Sequence, residues 1–364
     1  MRKNSSAYPV EFVADAFGES SALADVLEPF ERVLIVADQN VVNRVPGIGA
    51  RIGRYVQDHE LSLAAKPVVF PGGERAKTDD LQSALTVVSA ILDAKVGRGD
   101  VVLAIGGGAV LDVAGYAAAQ TRGGLGVVRM PTTPSAMMDA AFADYAAVDS
   151  FAVKDALRVP SEPAAVVVDT TLADTVLDGV WCSGIGAAVR LAVANDASLL
   201  SKVEELAPDY EGRRDGALDE LVRLVHATRA KKGATALGLW AANRLEPMSG
   251  YKVPYGYATV IGLMLEVGAA VVRGDLGDDD IVRIRKIFRD CGAIGPISRS
   301  VHLVKQVESL MYGLDAWLLS SPDGVPAISK IGKSELVAEP DRDAYRAAAE
   351  SFARTFISPP PPEA

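Results

Sequence analysis

A parallel, doubly wound α/β domain followed by a helical domain is the fold class this sequence predicts, on three observations. Apolar strand-like runs alternate with helix-like segments throughout the first half. One of those runs, Val101–Ile105, ends in Gly106-Gly107-Gly108 and turns straight into an Ala/Val/Leu-rich segment. Beyond Thr170 the strand runs stop and helical periodicity continues almost to the C-terminus. A continuous apolar run suits a strand buried on both faces, which is how strands of parallel sheets sit between their helices.

Taken in order, the chain opens with a short strand, Val10–Val13, a helix over Ser20–Phe30, and a second strand, Arg32–Ala37, that ends in Asp38-Gln39-Asn40. Acidic and amide groups at the carboxyl end of a parallel strand bind a nucleotide ribose, or else form an Asx turn or helix N-cap. A helix over Gly49–His59 leads to the strand Lys66–Phe70 and the loop Pro71-Gly72-Gly73-Glu74-Arg75-Ala76-Lys77-Thr78, then a helix over Asp79–Ala94. After the glycine run come a strand at Val127–Met130, the segment Pro131-Thr132-Thr133-Pro134, and a last strand at Val166–Asp169. Helices are expected over Gly184–Leu200, Arg213–Ala230, Tyr257–Val272, Asp278–Cys291, Leu303–Leu310 and Asp341–Thr355. The expected domains are therefore 1–175, α/β and Rossmann-like, and 176–357, all-α, with 358–364 a disordered tail.

At 364 residues, 49% hydrophobic and 23% charged, the chain has the size and balance of an ordinary globular protein with two cores. Its net charge of −10, without a basic stripe, argues against nucleic acid. No stretch reaches the roughly 20 apolar residues of a membrane span, and the basic start MRKNSSAYPVEF has no apolar run behind it; no membrane association and a cytoplasmic location are expected. Cys182 and Cys291 are far apart and lack CxxC spacing, so they read as buried thiols.

The glycine run carries the main chemical signal. Glycines at a strand-to-helix turn let an anion approach the unpaired N–H groups and positive dipole end of the helix, which is how a pyrophosphate is held. Asp112, one helical turn in, can reach a ribose or substrate hydroxyl. The same glycines also suit a plain tight turn between strand and helix.

With DQN, PGGERAKT, GGGAVLDVAGYAAA, the Arg122-Gly123 pair and PTTPSAMMD in this order and at this spacing, the chain resembles the 3-dehydroquinate synthases and related sugar phosphate cyclases, neighbours of the glycerol and iron-dependent alcohol dehydrogenases. The resemblance is specific in the N-terminal half and fades beyond it to a helical pattern. It implies NAD as cofactor, with Asp38 and Asn40 on the adenosine ribose, Glu74 and Lys77 in a loop over the cofactor, and Gly107 and Gly108 at the pyrophosphate. Asp112, Thr132, Thr133 and Asp139 fall around the nicotinamide half, and Thr175 near the cofactor. Arg122 matches an arginine that binds substrate phosphate near a subunit boundary, which implies a homodimer, and Lys154 matches a substrate-contacting lysine. Asp155 replaces the asparagine beside it. Asp38 favours NAD over NADP, because a carboxylate repels a 2′-phosphate.

The departures remove the family's metal chemistry. Its metal is held by a glutamate and two histidines, and the corresponding stretches here, GAAVR, GLWAANRLE and PYGYA, put Ala187, Leu239 and Tyr255 at the ligand positions and Asn243 at a further histidine. The chain's three histidines, His59, His226 and His302, lie near none of these. Alanine, leucine and a protonated phenol cannot replace imidazole and carboxylate on a catalytic zinc, so no metal is expected. In Ala140–Ala146, Tyr145 stands where the family has an active-site lysine, and the late Asp-Lys-Lys segment is missing. Arg190 falls at a family lysine.

Two functional classes follow. One is an enzyme that binds NAD and handles a polyol or sugar phosphate without metal, with Asp139, Tyr145, Tyr255 and Tyr257 as acid/base candidates. A tyrosine serves as a base only if a cation lowers its pKa, and Lys154 and Arg190 are the cations in the matched region; core or interface packing is the other use of each tyrosine. The other class is a non-catalytic pseudoenzyme with a scaffold or regulatory role. A plain 3-dehydroquinate synthase with ligands elsewhere is the third alternative.

Overall fold

The computed structural model describes residues 8–321 and 323–357; the tail 358–364 lies outside the described residues. The chain divides between Leu177 and Asp178 into two compact units.

In the first unit, strands β1 (Val10–Val13), β2 (Val33–Asp38), β3 (Val68–Phe70), β4 (Val101–Gly106) and β5 (Gly126–Pro131) are joined by β8 (Ala165–Asp169) in one six-stranded sheet of order β1-β8-β5-β4-β2-β3. Every pairing in it is parallel. Each residue of β2, β4 and β8 is buried, as the unbroken apolar runs require. Ile35, Leu103, Val128 and Val167 meet Tyr55 and Ile48 of the helix Ile48–Asp58 in one core. The connection from β2 leads outward to β3, whereas the connection from β4 leads to β5 on the other side, so the winding reverses between β2 and β4. Ligands of open parallel sheets bind outside the carboxyl ends of the strands at such a reversal. Here that edge is marked by Asp38, Phe70, Gly106 and Pro131, which the register sets level across four strands.

Between β5 and β8 the chain forms an antiparallel hairpin, β6 (Tyr145–Ser150) and β7 (Val153–Pro160), which packs on the helix Gly108–Gln120. No strand was expected here. Its turn, Phe151-Ala152, has both residues at left-handed φ, 50° and 56°, with Phe151 96% exposed. Arg129 of β5 anchors the hairpin's base: this arginine is 1% exposed and donates to the carbonyls of Ala143 at 2.6 Å and Ser161 at 2.5 Å, with longer bonds to those of Ala141 and Tyr145.

The second unit is built round the helix Tyr255–Arg273, apolar on all sides and packed by the helices Leu239–Met248, Ile185–Asn195 and Arg342–Phe352. At 19 residues it is long and apolar enough to cross a membrane by composition, but 83% of its most apolar window is buried inside the protein. It is a core helix, and its uniform apolarity is that of a segment enclosed by other helices. The helices Ala197–Glu211, Ala217–Lys232, Asp278–Asp290 and Val307–Ser320 add to the bundle, and an antiparallel hairpin, β9 (Val325–Lys330) with β10 (Lys333–Val337), interrupts it. That hairpin is an addition to the helical pattern expected from the sequence.

Candidate active site

Asp38 ends β2 and caps the helix Gln39–Arg44: its Oδ1 accepts the Asn40 backbone N–H at 2.7 Å and the Asn40 side-chain amide at 2.9 Å. The N-cap alternative is therefore realised, and the cap fixes both side chains at the sheet's carboxyl edge. Gly72 lies against them so closely that a Cβ there would fall 2.0 Å from Asp38 Oδ2. Only glycine allows the loop after β3 to pass the strand end at this distance. Gly107 is the N-cap of the helix Gly108–Gln120, and no side chain caps it. A Cβ on Gly107 would sit 3.1 Å from Thr133, and one on Gly108 would sit 3.1 Å from Ala140, so both glycines are held by close neighbours. Backbone N–H groups and the positive end of the helix dipole are what this edge offers an anion.

Next to the turn, a short 3-10 turn at Glu74–Ala76, the helix Gly108–Gln120 and the β6–β7 hairpin bring their charged groups together. Lys77 Nζ donates to Asp112 Oδ2 at 2.7 Å and to Asp155 Oδ1 at 2.6 Å. Lys154 Nζ donates to Glu74 Oε2 at 2.5 Å. Asp149 stands between the two lysines, 3.9 Å from Lys77 and 3.8 Å from Lys154, and its Oδ1 accepts the Asp155 backbone N–H at 2.9 Å. The Lys77 carbonyl in turn accepts the Asp149 N–H at 3.1 Å, which ties the 3-10 turn to the hairpin.

The electrostatics follow from burial and pairing. Burial disfavours the Lys77 ammonium, but Asp112 and Asp155 outweigh it and raise its pKa. Burial pushes the Asp155 carboxyl up, yet Lys77 and Lys154 bring it down to about 2. Glu74 is likewise held low, its burial overcome by Lys154 and Lys77. Asp112 and Asp149 are raised, because for them burial exceeds the lysines' attraction. The cluster is thus two ammonium groups shared among four carboxyls.

The cluster unites Glu74, Lys77, Asp112 and Lys154, four of the residues expected at the site, with Asp155 beside Lys154, and adds Asp149 and Arg158, which were not expected there. Arg158 lies 3.6 Å from Asp155 and over the Tyr145 ring at 4.2 Å. This cation does not make Tyr145 a base. Burial first, then Asp155, raises the phenol to about 12, so the condition for a tyrosine base, a cation that lowers its pKa, is not met at Tyr145, which is a hydrogen-bond donor at neutral pH. Burial also raises Tyr257 to about 12.

The remaining expected residues fall in several places. Thr132 is buried after β5 and donates its N–H to Gly106, and Thr133 caps the helix Pro134–Met138. Asp139 follows that helix and caps the next 3-10 turn through its carbonyl. Thr175 is half-buried beyond the turn Thr170–Ala173. Arg122 is exposed at left-handed φ in the loop before β5, at the amino edge of the sheet. The helix Gly108–Gln120 separates it from the glycine turn by about 20 Å, so Arg122 does not join its own chain's cluster. Arg190 is buried on the helix Ile185–Asn195, and Tyr255 begins the helix Tyr255–Arg273, both in the helical unit.

In that unit Ala187, Leu239, Asn243 and Tyr255 occupy the helices expected to carry metal ligands. Among the described residues no three His, Cys, Asp or Glu side chains converge as metal ligands do. The donor set does not fit a catalytic divalent ion. Glu266 was not expected at all: it is a fully buried carboxyl that accepts the Trp240 Nε1–H at 2.6 Å and the Tyr345 hydroxyl at 2.8 Å and is raised by burial to about 7.

The family model for the 3-dehydroquinate synthase N-terminal region matches residues 67–181, a span that takes in the glycine turn and the whole charged cluster. A 3-dehydroquinate synthase of Shewanella pealeana is 27% identical over 293 residues, 76% of this chain and 77% of the relative. Among solved structures, 2-epi-5-epi-valiolone synthase of Streptomyces hygroscopicus with NAD⁺ and Zn²⁺ bound superposes with a TM-score of 0.83 at 22% identity, covering 97% of this chain and 99% of that one. A 2-deoxy-scyllo-inosose synthase complexed with carbaglucose-6-phosphate, NAD⁺ and Co²⁺ gives 0.73 at 16% identity, with 94% and 96% covered. Sheet unit, helical unit and glycine turn together define a dehydroquinate synthase-like fold. Within that class the chain is similar to the 3-dehydroquinate synthases in sequence and to the sugar phosphate cyclases in fold.

Proposed function

We propose that the protein binds NAD at the carboxyl edge of its sheet and acts on a polyol or sugar phosphate without the family's metal. The observation that carries this reading is the joining of the Lys77 cluster, through Asp112, to the helix that begins at the uncapped Gly107-Gly108 turn. NAD would lie with its ribose at Asp38 and Asn40 and its pyrophosphate at the turn, and its nicotinamide would supply the hydride acceptor. The protein's own residues then bind and orient the substrate: Lys77 and Lys154 donate to its oxygens, Asp112 and Asp155 accept from its hydroxyls, and Tyr145 donates a further hydrogen bond. Support for NAD also comes from the two synthase structures above, whose bound NAD⁺ sits in the same fold.

The test is calorimetry with NAD, followed by an assay for nicotinamide reduction across unphosphorylated and phosphorylated polyols. Absence of NAD binding removes the reading. A non-catalytic role is the second reading, favoured by the raised pKa of Tyr145, which removes one of the expected acid/base groups; NAD binding with no turnover on any polyol would select it. A homodimer belongs to the same proposal, since Arg122 could reach a site only in a second copy, and light scattering decides it.

A further inference from the structure

The charged cluster also bears on substrate class, on the reading that this site handles either a polyol or its phosphate. We infer that it takes the hydroxyls of an uncharged polyol and rejects a phosphate group, and that Asp155 sets this preference. Each cation in the cluster already has its anion. Lys77 is shared by Asp112 and Asp155 at 2.7 and 2.6 Å, Lys154 is held by Glu74 at 2.5 Å, and Arg158 lies between Asp155 and the Tyr145 ring. Arg129, the remaining buried guanidinium nearby, gives both its Nη groups to backbone carbonyls on the hairpin side. A phosphate could gain a lysine only by displacing a buried carboxylate, and it would then face Asp149 and Asp155 at close range with like charge.

A hydroxyl meets no such conflict. It donates to a carboxylate and accepts from an ammonium, so it can insert between Lys77 and Asp155 while every group keeps a partner. Asp155 is the decisive residue because it supplies the second carboxylate on Lys77, and its backbone is fixed by the bond from its N–H to Asp149. The arginine that could offset this charge, Arg122, lies at the opposite edge of the sheet.

The test uses the full chain saturated with NAD, so that the glycine turn is filled, and titrates inorganic phosphate by phosphorus NMR and calorimetry. Wild type should show no saturable binding in the millimolar range, and Asp155→Asn should bind about tenfold or more tightly; Asp155→Ser replaces it should the amide variant not fold. Saturable binding to wild type overturns the inference, and if Arg122→Ala abolishes that binding, the anion is held across a subunit contact. Silence in both wild type and the Asp155 variants overturns the assignment to Asp155. A failed NAD titration is a separate result, which removes the cofactor reading and is scored before phosphate is added.

Discussion

The Lys77 ammonium donates to the Asp155 carboxylate at 2.6 Å, across 78 positions of sequence. Lys77 follows β3 and Asp155 belongs to the β6–β7 hairpin, so this bond, with that to Asp112, staples loop, helix and hairpin together at the sheet's carboxyl edge.

Lys77→Met should therefore destabilise the sheet unit. Removing one partner of a buried ion pair leaves the others desolvated and uncompensated, which costs about 3 to 5 kcal/mol, well above the cost of an exposed pair. Urea denaturation of the ligand-free protein, followed by far-ultraviolet circular dichroism, measures it. A change below about 0.5 kcal/mol would mean that Asp112 and Asp155 are solvated or repartnered without the lysine.

Gly72→Ala tests the close approach at Asp38. The added Cβ would meet Asp38 Oδ2, Cγ and Oδ1 at 2.0, 2.2 and 2.3 Å, and Asp38 cannot swing aside without giving up its cap on Asn40. Loss of an N-cap costs about 1 kcal/mol, with strain in the loop added to it. Both thermal stability and NAD affinity should fall; an unchanged NAD titration would separate Asp38 from the ribose.

Gly108→Val should abolish NAD binding, with the ligand-free fold retained at reduced stability. Even a methyl at this position stands 3.1 Å from Ala140, and a β-branched side chain widens the obstruction over the first helical amides. Calorimetry checks it directly, and undiminished affinity would place the pyrophosphate elsewhere.

The sheet was legible in the sequence because strands buried on both faces leave unbroken apolar runs: Val10–Val13 was expected with the ends observed, and β2, β4 and β8 within a residue or so. The β6–β7 hairpin was not. Its outer strand is largely exposed, so apolar patterning is weak, and its turn is Phe151-Ala152 where glycine or asparagine would have signalled left-handed backbone. Asp149 and Arg158 were missed with it. Arg129 left no trace because its partners are carbonyls, which any sequence supplies. Glu74, Lys77 and Asp112 were named through motif order, but their mutual pairing, which decides the charge of the cluster, depends on the unforeseen hairpin.

Glu266 was equally hidden, a single acid in an apolar helix whose donors, Trp240 and Tyr345, are 26 and 79 residues away. Burial raises its carboxyl to about 7, against the donors and the attraction of Arg273. Between about pH 4.5 and 7 the folded protein thus keeps a proton that the unfolded chain has released, and stability falls as pH rises through that window. At roughly 1.4 kcal/mol for each pH unit, the group's contribution changes by about 3 kcal/mol and is flat on either side. Glu266→Gln keeps the size of the side chain and removes the proton, so its stability should vary less over the same window. All three tryptophans, Trp181, Trp240 and Trp317, lie in the helical unit, so urea titrations followed by tryptophan fluorescence at pH 5 and pH 8 read that unit alone. The wild type should lose about 2.5 kcal/mol more than the variant between the two pH values, since pH 5 already lies inside the window. Equal losses would show that water or a structural adjustment reaches Glu266 and that its carboxyl titrates as an ordinary one.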